Sequence, residues 1–319
     1  MIPRDPSELF ALANNGSRTA LARLLSYVEA GGAPQRETVA LAYQAASPYV
    51  VGITGAPGGG KSTLTDRLLT FSLERGSLGL DGDFDQVGVL CVDPSSPYTG
   101  GAILGDRVRM QDHATDERVF IRSMATRGHL GGLSLAVPDA LRVLGAAHFR
   151  LAFVETVGVG QMEVEIAAAA DTTVVVTNPG WGDAMQANKA GLLEVADVFV
   201  INKADRAGVR ETRRDLEQML DLGTHEWRPP IIETTATNAG GVEQLWDALV
   251  AHRDFVRGPN FDAHRRKHLA RELDKVLAVM LHAQVTELAH GDSYDAQIDA
   301  LLAGTTDPYH AAETLLARS

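Results

Sequence analysis

The sequence contains a single cysteine, and this scarcity limits the possible chemistry. Cys91 stands inside the apolar run "VGVLCVD", which is typical of a buried strand. One cysteine cannot form a disulfide within the chain, and it cannot supply a cluster of thiolate ligands. We therefore expect neither disulfides nor a cysteine-based metal cluster.

Long apolar runs, a signal sequence and an excess of basic charge are also missing. No stretch approaches the roughly 18 uninterrupted apolar residues of a membrane-spanning helix. The N-terminus "MIPRDPSELF" has no basic segment followed by an apolar core. The formal net charge of −12 disfavours nucleic acid or an anionic membrane surface as the main partner, because both attract a basic face. We expect a cytoplasmic protein that binds neither nucleic acid nor membranes.

What the chain does have is an ordinary globular composition, with 45% hydrophobic and 22% charged residues. Residues 1–47 are predicted to form helices, the first with Asp5 as N-cap, Pro6 at the first helical position and Glu8 closing a capping box. We expect further helices over about residues 18–30 and 35–46. From Tyr49, apolar runs of strand length alternate with helical segments. Continuous apolar strands indicate a sheet buried on both faces, so we predict a doubly wound, mostly parallel α/β domain over residues 48–256.

A helical extension is predicted over residues 257–319. One face of its first helix carries the apolar residues Leu269, Leu273, Val276, Leu277, Met280, Leu281, Val285 and Leu288. This face can pack against the same chain or against a second copy of it. An all-helical tail of this length has little core of its own, so a homodimer contact is one of the two expectations.

A phosphate-binding loop is the strongest motif in the sequence. The segment "GAPGGGKS" fits the pattern G-x-x-x-x-G-K-[ST] between a predicted strand and a predicted helix. Its glycines let successive backbone N–H groups face phosphate oxygens, Lys61 bridges the β- and γ-phosphates, and the Ser62 hydroxyl ligates Mg²⁺. The predicted nucleotide contacts of this loop are Gly55, Ala56, Pro57, Gly58, Gly59, Gly60, Lys61, Ser62 and Thr63.

A second motif, "NKAD", predicts which base is bound. Asp205 can accept hydrogen bonds from N1–H and the exocyclic amine of guanine, whereas adenine would leave the carboxylate unpaired. We expect Asn202 to hold the loop and to contact the Hoogsteen edge, and the stem of Lys203 to cover one face of the base. The later segment "IIETTATN" places Thr235 and Ala236 beside the base, with the Ala236 N–H directed at O6. The predicted ligands are GTP and GDP.

Acidic residues at strand ends are expected to surround the γ-phosphate. Asp93 and Glu155 each end a predicted strand, and Asp106 follows a segment rich in Gly, Pro and Ser. The carboxyl ends of parallel strands meet at the ligand crevice, where carboxylates can serve a divalent metal. Asp93 could instead cap a following turn. Gly158 lies three residues after Glu155 and could bring a backbone N–H close to the γ-phosphate.

Four segments in this order, "DPSSPYTGGAILGDRVRM", "ETVGVGQ", "PGWGDAMQANKAG" and "INKAD", resemble the GTPases associated with methylmalonyl-CoA mutase, the MeaB/ArgK type of P-loop GTPases. The resemblance covers the layout of the whole chain and is specific between about residues 50 and 240. It implies a P-loop fold of the signal-recognition-particle and MinD class. It also implies a homodimer and a chaperone that gates adenosylcobalamin transfer to an acyl-CoA mutase and protects or reactivates the loaded enzyme. An adenosyltransferase is a further partner that such a role would admit.

The resemblance also assigns roles to single residues. Ser62, Asp93, Asp106 and Glu155 are implied as the Mg²⁺ site, with Glu155 and Asp106 also counted among the catalytic residues. Gln161 is implied to orient water and Lys189 to stabilise transition-state charge, although Lys189 could equally be a solvated loop residue. Residues 178–189 match a switch that couples the nucleotide state to the mutase.

Two departures from the usual family pattern bear on the partner. The segment "RSMATRGHLGG" and the run "GDAMQANK" differ from the typical motifs, and the first is more similar to the G domain of fused isobutyryl-CoA mutase. The mutase served could therefore act on another acyl-CoA. Two other functions stay open: a small-molecule kinase or transport ATPase of ArgK type, and a metallochaperone GTPase. The second would require a Cys/His metal site.

Overall fold

The computed structural model of the chain describes residues 3–76, 78, 86–94, 113, 115–126, 132–156, 169–180, 195–258 and 261–317. These residues belong to two compact units, Met1–His268 and Leu269–Ser319. The first unit holds the sheet and the second is helical throughout.

Seven described strands form the sheet of the first unit. They are β1 (Tyr49–Gly55), β2 (Val87–Pro94), β3 (Val119–Thr126), β4 (Leu151–Thr156), β5 (Thr172–Thr177), β6 (Val198–Asn202) and β7 (Ile231–Thr234). The spatial order is β3-β2-β4-β1-β5-β6-β7, and every neighbouring pair is parallel. The prediction of a doubly wound parallel sheet is confirmed. Because strands 2–4 lie on one side of β1 and strands 5–7 on the other, the carboxyl end of β1 is the switch point where ligands bind in such sheets.

Helices cover both faces of this sheet. Among the described residues before 257, these are α1 (Pro6–Asn14), α2 (Arg18–Ala30), α3 (Gly32–Ala42), α4 (Lys61–Arg75), α5 (Gly132–Ala146), α6 (Val209–Leu220) and α7 (Val242–Val256). Residues of α1–α3 and α5 share one apolar core with alternate residues of β1–β4, while α4 and α7 share a second core with the intervening residues. Cys91 is fully buried in the second core, as its apolar surroundings in the sequence predicted.

The N-terminal helices begin where local sequence signals predict. The Asp5 carboxylate accepts hydrogen bonds from the backbone N–H groups of Ser7 and Glu8 at 2.9 and 3.1 Å, so it satisfies two amides that the helix itself leaves unpaired. Helix α3 begins at Gly32, three residues before its expected start, and ends at Ala42 instead of residue 46. It can start early because Gly31 and Gly32 both adopt positive φ, 78° and 80°, which lets the chain turn at once out of α2.

The second unit consists of α9 (Asp292–Leu302), α10 (Pro308–Leu316) and most of α8 (Phe261–Leu288). Among its described residues, Ala311 is the one buried side chain. Five apolar side chains of α8 are at least 48% exposed, namely Leu273, Leu277, Met280, Leu281 and Val285. We call these five residues the apolar stripe. A unit with so little buried apolar surface has almost no hydrophobic core within itself.

Candidate functional site

The phosphate-binding loop connects the carboxyl end of β1 to the first residue of α4. Gly55 adopts φ +126°, and a Cβ there would lie 2.0 Å from the carbonyl oxygen of Val176 on the neighbouring strand. Gly60 adopts φ +87°, and a Cβ there would lie 2.4 Å from Nδ2 of Asn202. Both positions require glycine, because any side chain would meet backbone strain and a collision together. The loop is therefore built to run close to β5 on one side and to the end of β6 on the other.

Lys61 folds back over this loop. Its Nζ donates hydrogen bonds to the carbonyl oxygens of Gly55 at 2.8 Å and Ala56 at 3.0 Å, and the residue is only 6% exposed. The ammonium group is thus held at the centre of the loop, at the N-terminal end of α4. The helix N-terminus contributes partial positive charge at the same place, so the two together favour an anionic ligand.

Ser62 and Glu155 come together beside Lys61. The Ser62 hydroxyl donates a 2.6 Å hydrogen bond to Oε1 of Glu155, and the residues are 5% and 3% exposed. Two neighbouring ligands of an octahedral Mg²⁺ are about 2.9 Å apart when each lies about 2.0–2.1 Å from the metal. Both atoms are oxygens, the ligand type that this cation prefers. The pair therefore fits a magnesium site with only a small adjustment of one side chain.

Asn202 links three segments of the site. Its Nδ2 donates to the carbonyl oxygen of Gly59 at 2.8 Å, and its Oδ1 accepts from the Thr234 hydroxyl at 3.1 Å and the Ala236 N–H at 3.2 Å. The residue is 2% exposed. The amide of Asn202 thus connects the phosphate-binding loop to the segments that follow β6 and β7. The contact of Asn202 with the Hoogsteen edge and that of the Ala236 N–H with O6 stay predictions.

The remaining residues of the NKAD motif leave β6 in a tight turn. Lys203 adopts φ 59°, and its Nζ donates to the carbonyl oxygen of Gly58 at 2.6 Å. The Ala204 N–H donates to the Thr234 carbonyl at 2.9 Å, which sets this turn alongside the loop that begins at Thr235. Asp205 is exposed. Its carboxylate is therefore accessible to a ligand.

Several predicted site residues fall on parts of the chain that the structure does not describe. Asp93 lies at the end of β2, but its side chain is not described. Asp106, Gly158, Gln161 and Lys189 lie outside the described residues, as does most of the segment 178–189. The described start of that segment lies near the N-terminal end of α6, because a Cβ built on Gly208 would lie 3.5 Å from Cβ of Pro179.

Two contacts of the site were not expected from the sequence. The hydroxyls of Thr54 and Thr156 are 3.1 Å apart, and both residues are buried. Nε of Arg67 donates to the carbonyl oxygen of Ala236 at 3.2 Å. No sequence signal could have paired these residues, because more than a hundred positions separate the members of each pair.

Within the described ranges, no helix is long and apolar enough to cross a membrane. The same ranges contain no group of three or more His, Cys, Asp or Glu side chains placed to hold a metal ion.

Comparison with known proteins identifies similar chains. One family model, described as "Methylmalonyl Co-A mutase-associated GTPase MeaB", matches residues 21–290. A protein of Pyrococcus abyssi that carries the name of a GTPase is 45% identical over 316 residues, which are 97% of this chain and 95% of that protein. The fused isobutyryl-CoA mutase of Cupriavidus metallidurans is 38% identical over 245 residues, which are 74% of this chain and 22% of the mutase. A crystal structure of LAO/AO transport system kinase has the same fold, with a TM-score of 0.69 at 23% identity over 99% of this chain and 98% of that one.

Proposed function

Because the chain belongs to the family of methylmalonyl-CoA mutase-associated GTPases, we propose that its GTPase activity serves a chaperone function. In this proposal the protein gates the loading of adenosylcobalamin into a B12-dependent acyl-CoA mutase, and it protects or reactivates the loaded enzyme. One observation carries the proposal furthest. A segment similar to this chain makes up 22% of a protein named as a fused isobutyryl-CoA mutase. In that relative, a segment of this kind is part of a mutase polypeptide.

The geometry of the loop supports nucleotide binding. The phosphates would lie over the turn at Gly58–Gly60, where the Lys61 ammonium and the N-terminal end of α4 supply positive charge. Asp205 would accept the N1–H and the exocyclic amine of guanine. The stem of Lys203, which lies over the loop, would cover one face of the base. Asn202 would hold the phosphate-binding loop and the loop that begins at Thr235 at a fixed distance from each other.

Magnesium is part of the proposal because Ser62 and Glu155 fit it. When bound, the cation would supply positive charge to the phosphate chain and so lower the barrier to hydrolysis. Asp93 and Asp106 are proposed as further members of this site. Gln161 is proposed to orient the attacking water and Lys189 to stabilise charge on the transferring phosphoryl group. The sequence motifs contain no arginine at a fixed position that could stabilise this charge as an arginine finger does. We therefore propose that hydrolysis is slow until a partner contributes such a contact.

The mutase is proposed to act through the two segments next to the phosphates. Residues 94–106 leave β2 and residues 179–189 leave β5, so both begin at the sheet edge that carries the phosphate loop. A partner can respond to the γ-phosphate only if it touches a segment whose conformation depends on that phosphate. An adenosyltransferase that delivers the cobalamin is a further proposed partner.

A homodimer is proposed to form through the apolar stripe of α8. Each side chain of the stripe is at least 48% exposed, and the unit that contains it has a single buried side chain among its described residues. Burial of this surface against a second copy would give the unit the hydrophobic core that it lacks.

The nucleotide assignment is tested by comparing GTP with ATP in calorimetry. The wild type should bind GTP at least about 10³-fold more tightly than ATP, since a hydrogen-bonding group left unpaired by the wrong base can discriminate by up to about 10⁴. Asp205→Asn should lose that preference and gain affinity for XTP, because an amide can donate to the 2-oxo group of xanthine. Asp215→Asn, an exposed acid on α6, is the matched control and should behave as wild type. Equal affinity of the wild type for ATP would favour a small-molecule kinase or transport ATPase instead.

A further inference from the structure

Arg67 connects the phosphate-binding helix to the loop beside the base. It lies on α4, six positions after Lys61, and its side chain is partly buried. Its Nε donates to the carbonyl oxygen of Ala236 at 3.2 Å, across 169 positions of sequence. A hydrogen bond from a charged donor to a backbone carbonyl is stronger than one between neutral groups.

The backbone of Ala236 is held from both sides. Arg67 donates to the carbonyl oxygen of Ala236, and the N–H of Ala236 donates to Oδ1 of Asn202 at 3.2 Å. The loop is closed internally by a hydrogen bond from the Thr235 N–H to the carbonyl of Gly240 at 2.9 Å. Internal bonds therefore set the shape of this loop. The contacts of Arg67 and Asn202 with Ala236 set its distance from the phosphate loop.

The position of this loop bears on how a base is recognised. The Ala204–Thr234 hydrogen bond sets the turn that carries Asp205 alongside the loop that starts at Thr235. In guanine, O6 is attached to the carbon next to N1. A guanine whose N1–H and 2-amine are bound by Asp205 would therefore present O6 toward the neighbouring loop. A small displacement of the loop would change the contact at position 6 and leave the contacts at positions 1 and 2 in place.

We infer that Arg67 is a positioning residue for guanine recognition, which holds the loop 235–238 where its backbone meets position 6 of the base. This inference rests on the proposed guanine site. It goes beyond that site because Arg67 belongs to neither sequence motif and is not among the predicted nucleotide contacts. Its role is to fix the distance between the part of the protein that binds phosphate and the part that reads O6.

The test measures base discrimination with three probes. GDP, 6-thio-GDP and IDP are titrated against the wild type, Arg67→Met and Arg67→Lys. Replacing O6 by sulfur weakens the acceptor at position 6, whereas IDP lacks only the 2-amine. Arg67→Met keeps the length and apolar stem of the side chain but has no donor, and Arg67→Lys keeps a donor. Arg75→Met is the matched control, because Arg75 lies on the same helix and pairs with Glu243 at 2.8 Å in an exposed position.

We expect Arg67→Met to bind GDP about tenfold more weakly, the effect of one charge-assisted hydrogen bond. The preference of the wild type for GDP over 6-thio-GDP should fall toward unity in this variant. Its preference for GDP over IDP should be unchanged. Arg67→Lys should recover most of the position-6 preference, and Arg75→Met should match the wild type throughout.

An unchanged ratio of GDP to 6-thio-GDP affinity in Arg67→Met would overturn the inference and leave Arg67 as a structural contact. So would an equal loss of both preferences, because that would mean a general disturbance of the base site. Should Arg67→Met fail to fold, Arg67→Leu, which also lacks a donor, takes its place with the same expected and overturning results. Failure of the wild type to bind any guanine nucleotide would instead refute the proposed function.

Discussion

The hydroxyl groups of Thr54 and Thr156 lie 3.1 Å apart, and both residues are at most 1% exposed. Thr54 immediately precedes Gly55, where the phosphate loop begins, and Thr156 immediately follows Glu155. The hydrogen bond therefore joins the ends of two adjacent strands, one leading to Ser62 and the other carrying the carboxylate that Ser62 contacts. It ties together the two halves of the proposed metal site.

Replacing either threonine by valine should destabilise the protein, while replacing both should cost less than the sum. Each single change leaves one buried hydroxyl without this partner, at about 1–3 kcal/mol, whereas the double change removes both polar groups. The free energies of unfolding of Thr54→Val, Thr156→Val and the double variant are measured in urea. Strictly additive losses would show that the two hydroxyls do not interact.

Gly60→Ala should abolish nucleotide binding, and Gly58→Ala should only weaken it. Both glycines adopt positive φ, 87° and 72°, so both variants carry backbone strain of about 1–3 kcal/mol. A Cβ on Gly60 would also lie 2.4 Å from Nδ2 of Asn202, whereas a Cβ on Gly58 meets nothing within 4 Å. Affinities for GDP are measured by calorimetry. Equal losses in the two variants would show that the close approach to Asn202 is unimportant.

Ser62→Ala should raise the Mg²⁺ concentration needed for half-maximal GTP hydrolysis by about tenfold or more, the effect of losing one metal ligand. Ser62→Thr keeps the hydroxyl and should retain the wild-type dependence, so it is the matched control. The measurement is a magnesium titration of single-turnover hydrolysis at saturating GTP. If Ser62→Ala and the wild type respond to magnesium alike, the Ser62–Glu155 pair is only a structural hydrogen bond.

Leu281→Glu should convert a dimer into a monomer. The side chain is 59% exposed in the apolar stripe, and a charge buried at a helix interface without a partner is strongly unfavourable. His282→Glu is the control, because His282 is exposed and lies about 100° further round the helix. Sedimentation equilibrium measures the mass of each. A wild type that is monomeric at micromolar concentration would contradict the proposed role of the stripe.

The sequence predicts the parallel sheet because its strands are continuous apolar runs, and it predicts the start of α1 because the Asp5 cap depends on neighbours within three positions. It also predicts the residues of the phosphate loop, whose chemistry is local. It could not predict that Asn202 contacts Gly59 and Ala236, nor that Arg67 contacts Ala236, because tertiary packing alone brings these segments together. The Ala236 N–H has a partner inside the protein that no local pattern reveals.

The central claim is that an acyl-CoA mutase controls the GTPase. The most direct measurement is single-turnover GTP hydrolysis by the wild type, alone and with an adenosylcobalamin-dependent acyl-CoA mutase from the same organism. A partner that completes a GTPase site can accelerate it by about 10³–10⁵, and we expect the mutase to stimulate hydrolysis at least tenfold from a rate well below about one per second. Identical rates with and without every such mutase of the organism would contradict the account.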